Sequence, residues 1–146
     1  MHILACHNFY QQAGGEDQSF RQEIAQLESH GHRVSIFSVH NDEIHQMSSA
    51  EAVVRSIWNN GSYKEIRRLL QAERIDILHC TNTFPLMSPS VYYGARKEGV
   101  PVVQSLRNYR LLCPGACFVR DGKVCEKCLG KQVPWPAIVH GCYRHN

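Results

Sequence analysis

Little in the chain ties it to a membrane or to nucleic acid. None of its apolar runs approaches the roughly 18 residues that cross a bilayer. The opening stretch MHILACHNFY is too short and too polar for a secretory signal, and it lacks a small-residue cleavage site. No block of like charge exists: Arg67 and Arg68 fall on a predicted helix, and Arg107, Arg110 and Arg120 are scattered. A formal charge of +3 is too mild to argue for nucleic acid. Several catalytic signatures are also missing. There is no G-x-S-x-G, no H-E-x-x-H among the nine histidines, no P-loop lysine and no spaced glycine fingerprint of a dinucleotide site. The expected setting is the cytoplasm, including the inner surface of the membrane. There disulfides are disfavoured, and clustered cysteines bind metal or do redox work.

What is present is one ordinary domain's worth of chain. Its 146 residues, 43% of them hydrophobic, can bury a core without staples. Short apolar runs alternate with helical periods, which predicts an α/β fold with a parallel sheet. HILAC reads as the first strand. DQSFRQEIAQLESHG follows as a helix, with Phe20, Ile24 and Leu27 at helical spacing and Gly31 as its stop. RVSIFSV is the second strand. The stretch from His40 to Gly61 is ambiguous, with Ile57 and Trp58 suggesting a short helix packed on the body. SYKE reads as a capping box, Ser62 with Glu65, opening a helix whose buried stripe is Ile66, Leu69 and Leu70. IDILHC is the next strand. Ser88 is then expected as N-cap, Pro89 at the first helical position and Gly99 as the stop. VPVVQSL closes the alternation. Beyond Leu106 the chain is polar and cysteine-rich to Asn146, broken only by VPWPAIV.

In open parallel sheets, ligands bind beyond the carboxyl ends of the strands. Three polar stretches are expected at such ends: HNFYQQAGGEDQ, HCTNTFP and RNYR. In AGGED, Gly14 and Gly15 stand where a strand hands over to a helix. They permit positive φ and let a phosphate or sugar-diphosphate approach the backbone, or they simply make a tight turn. Glu16 and Asp17 suit the macrodipole of a helix start and would repel a phosphate set directly on it. His79, Thr81 and Asn82 can hydrogen-bond sugar hydroxyls, and Arg107 with Asn108 can recognise carboxylate or phosphate. Cys6 and Cys80 lie within apolar strands, where a thiol behaves as a small hydrophobe.

Cys113, Cys125, Cys128 and Cys142 form a C-x11-C-x2-C-x13-C pattern, with RDGK as a hairpin turn inside it. The close pair can chelate one ion, and the two outlying thiolates would complete a tetrahedron. Structural zinc, reduced thiols without metal, and disulfide or redox chemistry all fit that pattern. Cys117 and His140 are alternative ligands. A catalytic metal is not expected, because four thiolates leave no open position.

Taken in order, HNFYQQAGGEDQSFRQEIAQLESHGHRV, HCTNTFPLMSPSVYYGARKEGVPVVQSLRNYRLLCP and DGKVCEKCLG resemble the N-terminal half of family 4 glycosyltransferases. These are retaining enzymes of the GT-B architecture, with two Rossmann-like domains and the active site in the cleft between them. The resemblance implies that residues 1–146 are an incomplete N-terminal domain, with 107–146 a cysteine-rich insertion. Gly14 and Gly15 would face donor phosphates and acceptor, and His79 and Asn82 would line the cleft, where relatives often carry a second histidine at the place of Thr81. Arg107 departs from the family, many of whose members have a histidine there contacting the transferred sugar. The implied partners are a nucleotide sugar, a glycan or lipid-linked acceptor, and a donor-binding domain in the same or another chain. That second domain carries a Glu-x7-Glu pair in the family. Glu43 with Glu51 and Glu65 with Glu73 match the spacing outside its context. A chain lacking that domain would be inactive alone and would expose apolar surface, favouring self-association.

Overall fold

The alternation becomes a four-stranded parallel sheet in the computed structural model, which describes residues 1–12 and 14–142. In chain order the elements are β1 (His2–Phe9), α1 (Gly15–Ser29), β2 (Arg33–His40), a 3-10 turn (Asn41–Gln46), α2 (Ser49–Ile57), α3 (Asn60–Ala72), β3 (Ile77–Asn82), α4 (Ser90–Lys97) and β4 (Val102–Gln104). The strand order is β2-β1-β3-β4, parallel throughout. Residues His2 to Asn8 of β1 are all buried. A strand buried on both faces needs cover on both, and that defines the layers. Leu4 and Cys6 face a core with Leu78 and Cys80 of β3, Ile66 and Leu70 of α3, and Val91 and Ala95 of α4. On the opposite face Ala5 packs with Phe20 and Ile24 of α1. Each fully buried aliphatic side chain there contributes about 1.5–3 kcal/mol before entropy. Close approach of α3 and α4 depends on Gly94, where a Cβ would stand 3.2 Å from Ile66 Cγ2 and 3.3 Å from Tyr63 O.

These elements lie in one unit, Met1–Ser105; the rest of the chain, Leu106–Asn146, forms a second. In the second unit, β5 (Val119–Arg120) pairs antiparallel with β6 (Lys123–Val124). Asp121 and Gly122 between them have φ of 52° and 72°, the twist that a two-residue hairpin turn needs. A short helix, α5 (Trp135–Val139), follows. Among the described residues of this unit only Pro136 and Ala137 are buried.

Local expectations were met unevenly. β1 runs to Phe9, so His7, Asn8 and Phe9 belong to the strand rather than to a polar loop. The Ser62–Glu65 capping box does not form. Asn59 is the N-cap instead, its Oδ1 accepting from Gly61 N (2.9 Å) and Ser62 N (3.2 Å), and Ser62 is buried within the helix. An amide side chain placed earlier captures the orphan N–H groups first. Glu65, left free of that role, pairs with Arg68. The α4 start falls one residue later than expected: Pro89 is the N-cap and Ser90 the first helical residue, while Ser88, at φ 60°, precedes the cap and still accepts from Ser90 N at 3.3 Å. A helix does form before Asn59, but none of its residues is fully buried, and Ile57 is exposed. VPVVQSL yields only the three residues of β4. Gly31 and Gly99 end α1 and α4 with φ of 80° and 72°, and RDGK makes the expected hairpin.

Candidate functional site

The strand order places β1 between β2 and β3, so the chain winds away from β1 in opposite directions. The crevice beyond the carboxyl ends of β1 and β3 is the topological switch point, where open α/β sheets bind ligands. Two loops border it: the one from Tyr10 to the start of α1, and the one from Thr83 to Met87. A bulge interrupts the β1–β3 ladder here. Cys6 pairs with Cys80, but His7 pairs with Asn82, leaving Thr81 as the extra residue. Bulges of this kind re-aim side chains beside functional sites. The Thr81 hydroxyl is buried without a hydrogen-bond partner.

Beneath the rim lies a set of polar side chains that hold both loops. Asn8, fully buried, donates from Nδ2 to Asn41 Oδ1 (2.7 Å) and accepts at Oδ1 from Leu86 N (3.2 Å). Asn82 donates to Asn8 O (2.8 Å) and accepts from Phe84 N (3.2 Å). One asparagine on each strand end thus ties β1 to the β3 loop. His7 contacts Asp17 through Nε2 at 2.8 Å, with both groups buried. A carboxylate only accepts, so Nε2 carries that proton. The ring stacks on Phe20 with centroids 4.5 Å apart, and its Nδ1 has no partner. Asp17 also accepts from Gly14 N at 3.3 Å, which ties the helix start to the strand end. Thr83 bonds the Tyr92 hydroxyl (3.0 Å), which donates to Gln104 Oε1 (2.6 Å); burial raises the phenol's pKa above its ordinary value.

Gly14 and Gly15 are exposed, and Ala13 of the AGGED turn lies outside the described residues. The expected positive φ is absent: Gly14 has φ −117° and ψ −176°, extended backbone open to any residue. A Cβ at either glycine would meet nothing within 4 Å. Neither sterics nor backbone strain therefore requires glycine, and what its absent side chain provides is open access to the first turn of α1. No side chain caps that turn. His79 is 7% exposed; its Nε2 lies 2.9 Å from Ser105 Oγ and 3.7 Å from Glu23 Oε1, so its polar edge is engaged within the fold. In the second unit Arg107 is exposed, and Asn108 Oδ1 accepts from Arg110 N at 2.9 Å. Asn8, His7 and Asp17 were missed as site-forming residues. The available signal was polar residues continuing a buried apolar strand, which require buried partners.

All seven cysteines are free. Cys6 and Cys80 are buried in the core, and burial first, then Cys80, raises the Cys6 thiol well above its ordinary value. Such thiols are inert. Cys113, Cys125, Cys128 and Cys142 are half-buried and line one cleft of about 500 Å³, together with Arg120 and His140. Burial raises the Cys142 thiol; Arg120 pulls it down, and Cys128, Cys125 and Cys113 add to the rise. Cys117 is exposed and its thiol donates to Val119 O at 3.6 Å. Among the described residues no three His, Cys, Asp or Glu side chains are already gathered closely enough to hold an ion. No helix among them is long and apolar enough to cross a membrane.

A family model described as a glycosyl transferase 4-like domain matches residues 14–135. Two crystal structures of the C-terminal domain of PF1911 hydrogenase from Pyrococcus furiosus resemble the chain, each with a TM-score of 0.50. Their identities are 15% and 17%, over 71% and 72% of this chain and 90% of each of theirs. At that identity the likeness is one of fold. No curated protein sequence matches the chain.

Proposed function

The chain belongs to the glycosyl transferase 4-like domain family, and from that premise we propose that it is the acceptor-side domain of a retaining, GT-B transferase. It receives sugar from a nucleotide-sugar donor onto a glycan or lipid-linked acceptor. One observation carries this reading. The open start of α1 and the β3 loop border the sheet's switch point; buried Asn8 and half-buried Asn82 fix the β3 loop to the end of β1, and the His7–Asp17 contact fixes the start of α1 to the same strand end. The rim stretches from Tyr10 to Gly15 and from Thr83 to Met87 contain no lysine or arginine. They suit neutral hydroxyl groups better than a diphosphate, whose departure needs positive charge. That charge falls to a donor-binding domain. Gly14 and Gly15 admit the acceptor, while His79 and Asn82 act from below the rim as positioning residues.

The test incubates the chain with nucleotide sugars and a lipid-linked acceptor, with and without a separately supplied donor-binding domain. Transfer should require that domain, whereas acceptor binding should not. Robust turnover by these 146 residues alone refutes the proposal. A glycan-binding module without catalysis is favoured by a different feature, a groove of about 510 Å³ lined by Trp58, Tyr63, Tyr93, Arg96 and Lys97. Exposed aromatic rings present the flat apolar faces on which sugar rings stack. Loss of glycan binding in Trp58→Ala, with Gly14→Thr unaffected, supports that module instead.

A further inference from the structure

The proposed function gives the half-buried cysteines of the second unit no role, and the unit around them lacks what normally holds a fold together. Leu111, Leu112, Val124, Ile138 and Val139 are each more than half exposed. Chains of roughly 40 residues without a core need disulfides, metal or a partner to stay folded. Backbone that is costly for ordinary side chains surrounds the same cysteines: Ala116 and Phe118 take φ of 64° and 55° on either side of Cys117. Such conformations persist where the surroundings over-determine them.

We infer that Cys113, Cys125, Cys128 and Cys142 bind one zinc ion as a closed structural site. They line a single cleft, and the hairpin bond from Cys125 N to Phe118 O (2.8 Å) holds the close Cys125–Cys128 pair beside it. That pair sits in a tight turn, with Leu129 N bonding Glu126 O (3.0 Å), Lys131 N bonding Cys128 O (3.3 Å) and Gly130 at φ 70°. The independent pointer is Arg120. Its guanidinium lines the cleft: Nε reaches Asp121 Oδ2 only as an ion-pair contact (3.3 Å) without a hydrogen bond, and Nη1 is buried with no hydrogen bond made. Neutral thiols are poor acceptors, and thiolates are good ones. Ionisation of the sulfurs on a metal therefore supplies the partners these donors lack, and Arg120 offsets part of the charge of four thiolates on a divalent ion. Soft sulfur ligands select zinc over hard cations, and a full set of four leaves no position for catalysis. The sulfurs line the cleft without meeting, so binding draws the loops inward and releases about four thiol protons. Cys117 lines the same cleft but, unlike the other four, is exposed and turns its thiol to Val119 O, so the inferred ligand set leaves it out.

The experiment measures zinc in chain purified under reducing conditions and counts thiols reactive toward a disulfide reagent. About one zinc per chain is expected. Cys117 alone should then react quickly; a chelator should expose the four ligands, and denaturant should add Cys6 and Cys80. Cobalt added to chelated protein should develop the visible bands of a tetrahedral thiolate site. Cys117→Ser should retain the metal, Cys128→Ser should lose it, and Arg120→Gln should bind it about 10- to 100-fold more weakly. Should Cys128→Ser fail to fold, the thiol counts on the native chain still decide. The inference is overturned if folded, reduced protein holds little zinc, gives no cobalt spectrum, and shows five reactive thiols without chelator. Loss of metal from Cys117→Ser overturns the ligand set.

Discussion

Replacing Asn8 by alanine should be among the most damaging single polar substitutions in the chain. The side chain is fully buried and answers two groups that are themselves buried, Asn41 Oδ1 at 2.7 Å and Leu86 N at 3.2 Å. Truncation strands one acceptor and one donor. Each unsatisfied buried group costs about 1–3 kcal/mol. The shorter bond belongs in the upper part of that range and the longer one in the lower, so a total near ~3 kcal/mol is expected. Domains have only about 5–15 kcal/mol in all. For a unit of roughly 100 residues, ~3 kcal/mol corresponds to a fall in Tm of about 12 °C. Urea and thermal unfolding followed by circular dichroism give the number directly. Hydrogen exchange gives the location, because the Leu86 amide should lose protection while amides in α1 keep theirs. Asn41→Ala adds a second check. Once Asn8 is gone, Asn41 is already stranded, so the double variant should cost less than the two singles summed, by about 1 kcal/mol or more. A cost for Asn8→Ala below ~1 kcal/mol, or strict additivity with Asn41→Ala, would refute the role given to this pair.

Gly14→Thr adds a side chain in open space on extended backbone and supplies a helix cap. Stability should hold within about 0.5 kcal/mol while acceptor affinity falls about tenfold, as read by calorimetry; unchanged affinity removes Gly14 from the binding surface. Gly94→Val forces a branched side chain against Ile66 and the Tyr63 carbonyl and should cost about 1–3 kcal/mol in urea unfolding, with a neutral result contradicting the α3–α4 packing. The Arg67 guanidinium and then the Gln71 amide hold the Glu98 carboxyl below its ordinary range. Its contribution is therefore complete above the ordinary glutamate pKa and lost as pH falls through the lower value in the fold. Glu98→Gln should flatten the acid limb of the stability curve, and parallel curves for the two proteins would contradict the pairing.

Much of this was written locally in the chain. The parallel sheet follows from apolar runs separated by helical periods, and Phe20, Ile24, Ile66 and Leu70 are buried where their spacing puts them. Gly31, Gly99 and the Asp121–Gly122 turn need only their own backbone preferences, so short-range sequence determines them. Competition between neighbours was less legible. Asn59 displaced the Ser62–Glu65 cap because both answer the same few amides, and only the helix's actual start decides which gets there.

The tertiary structure alone decided what the polar residues at the strand ends do. Asn8 and Asn82 are far apart in sequence but share one hydrogen bond, because β1 and β3 became neighbours across the switch point. His79 looked like a ligand-facing group, but Ser105 and Glu23 meet its polar edge from β4's end and α1. Gly14 looked like a positive-φ turn and is an extended helix cap. The physical reason is common to all three. Composition and periodicity fix which face a residue takes, whereas a buried hydrogen bond depends on partners that only long-range folding brings within 3 Å or so.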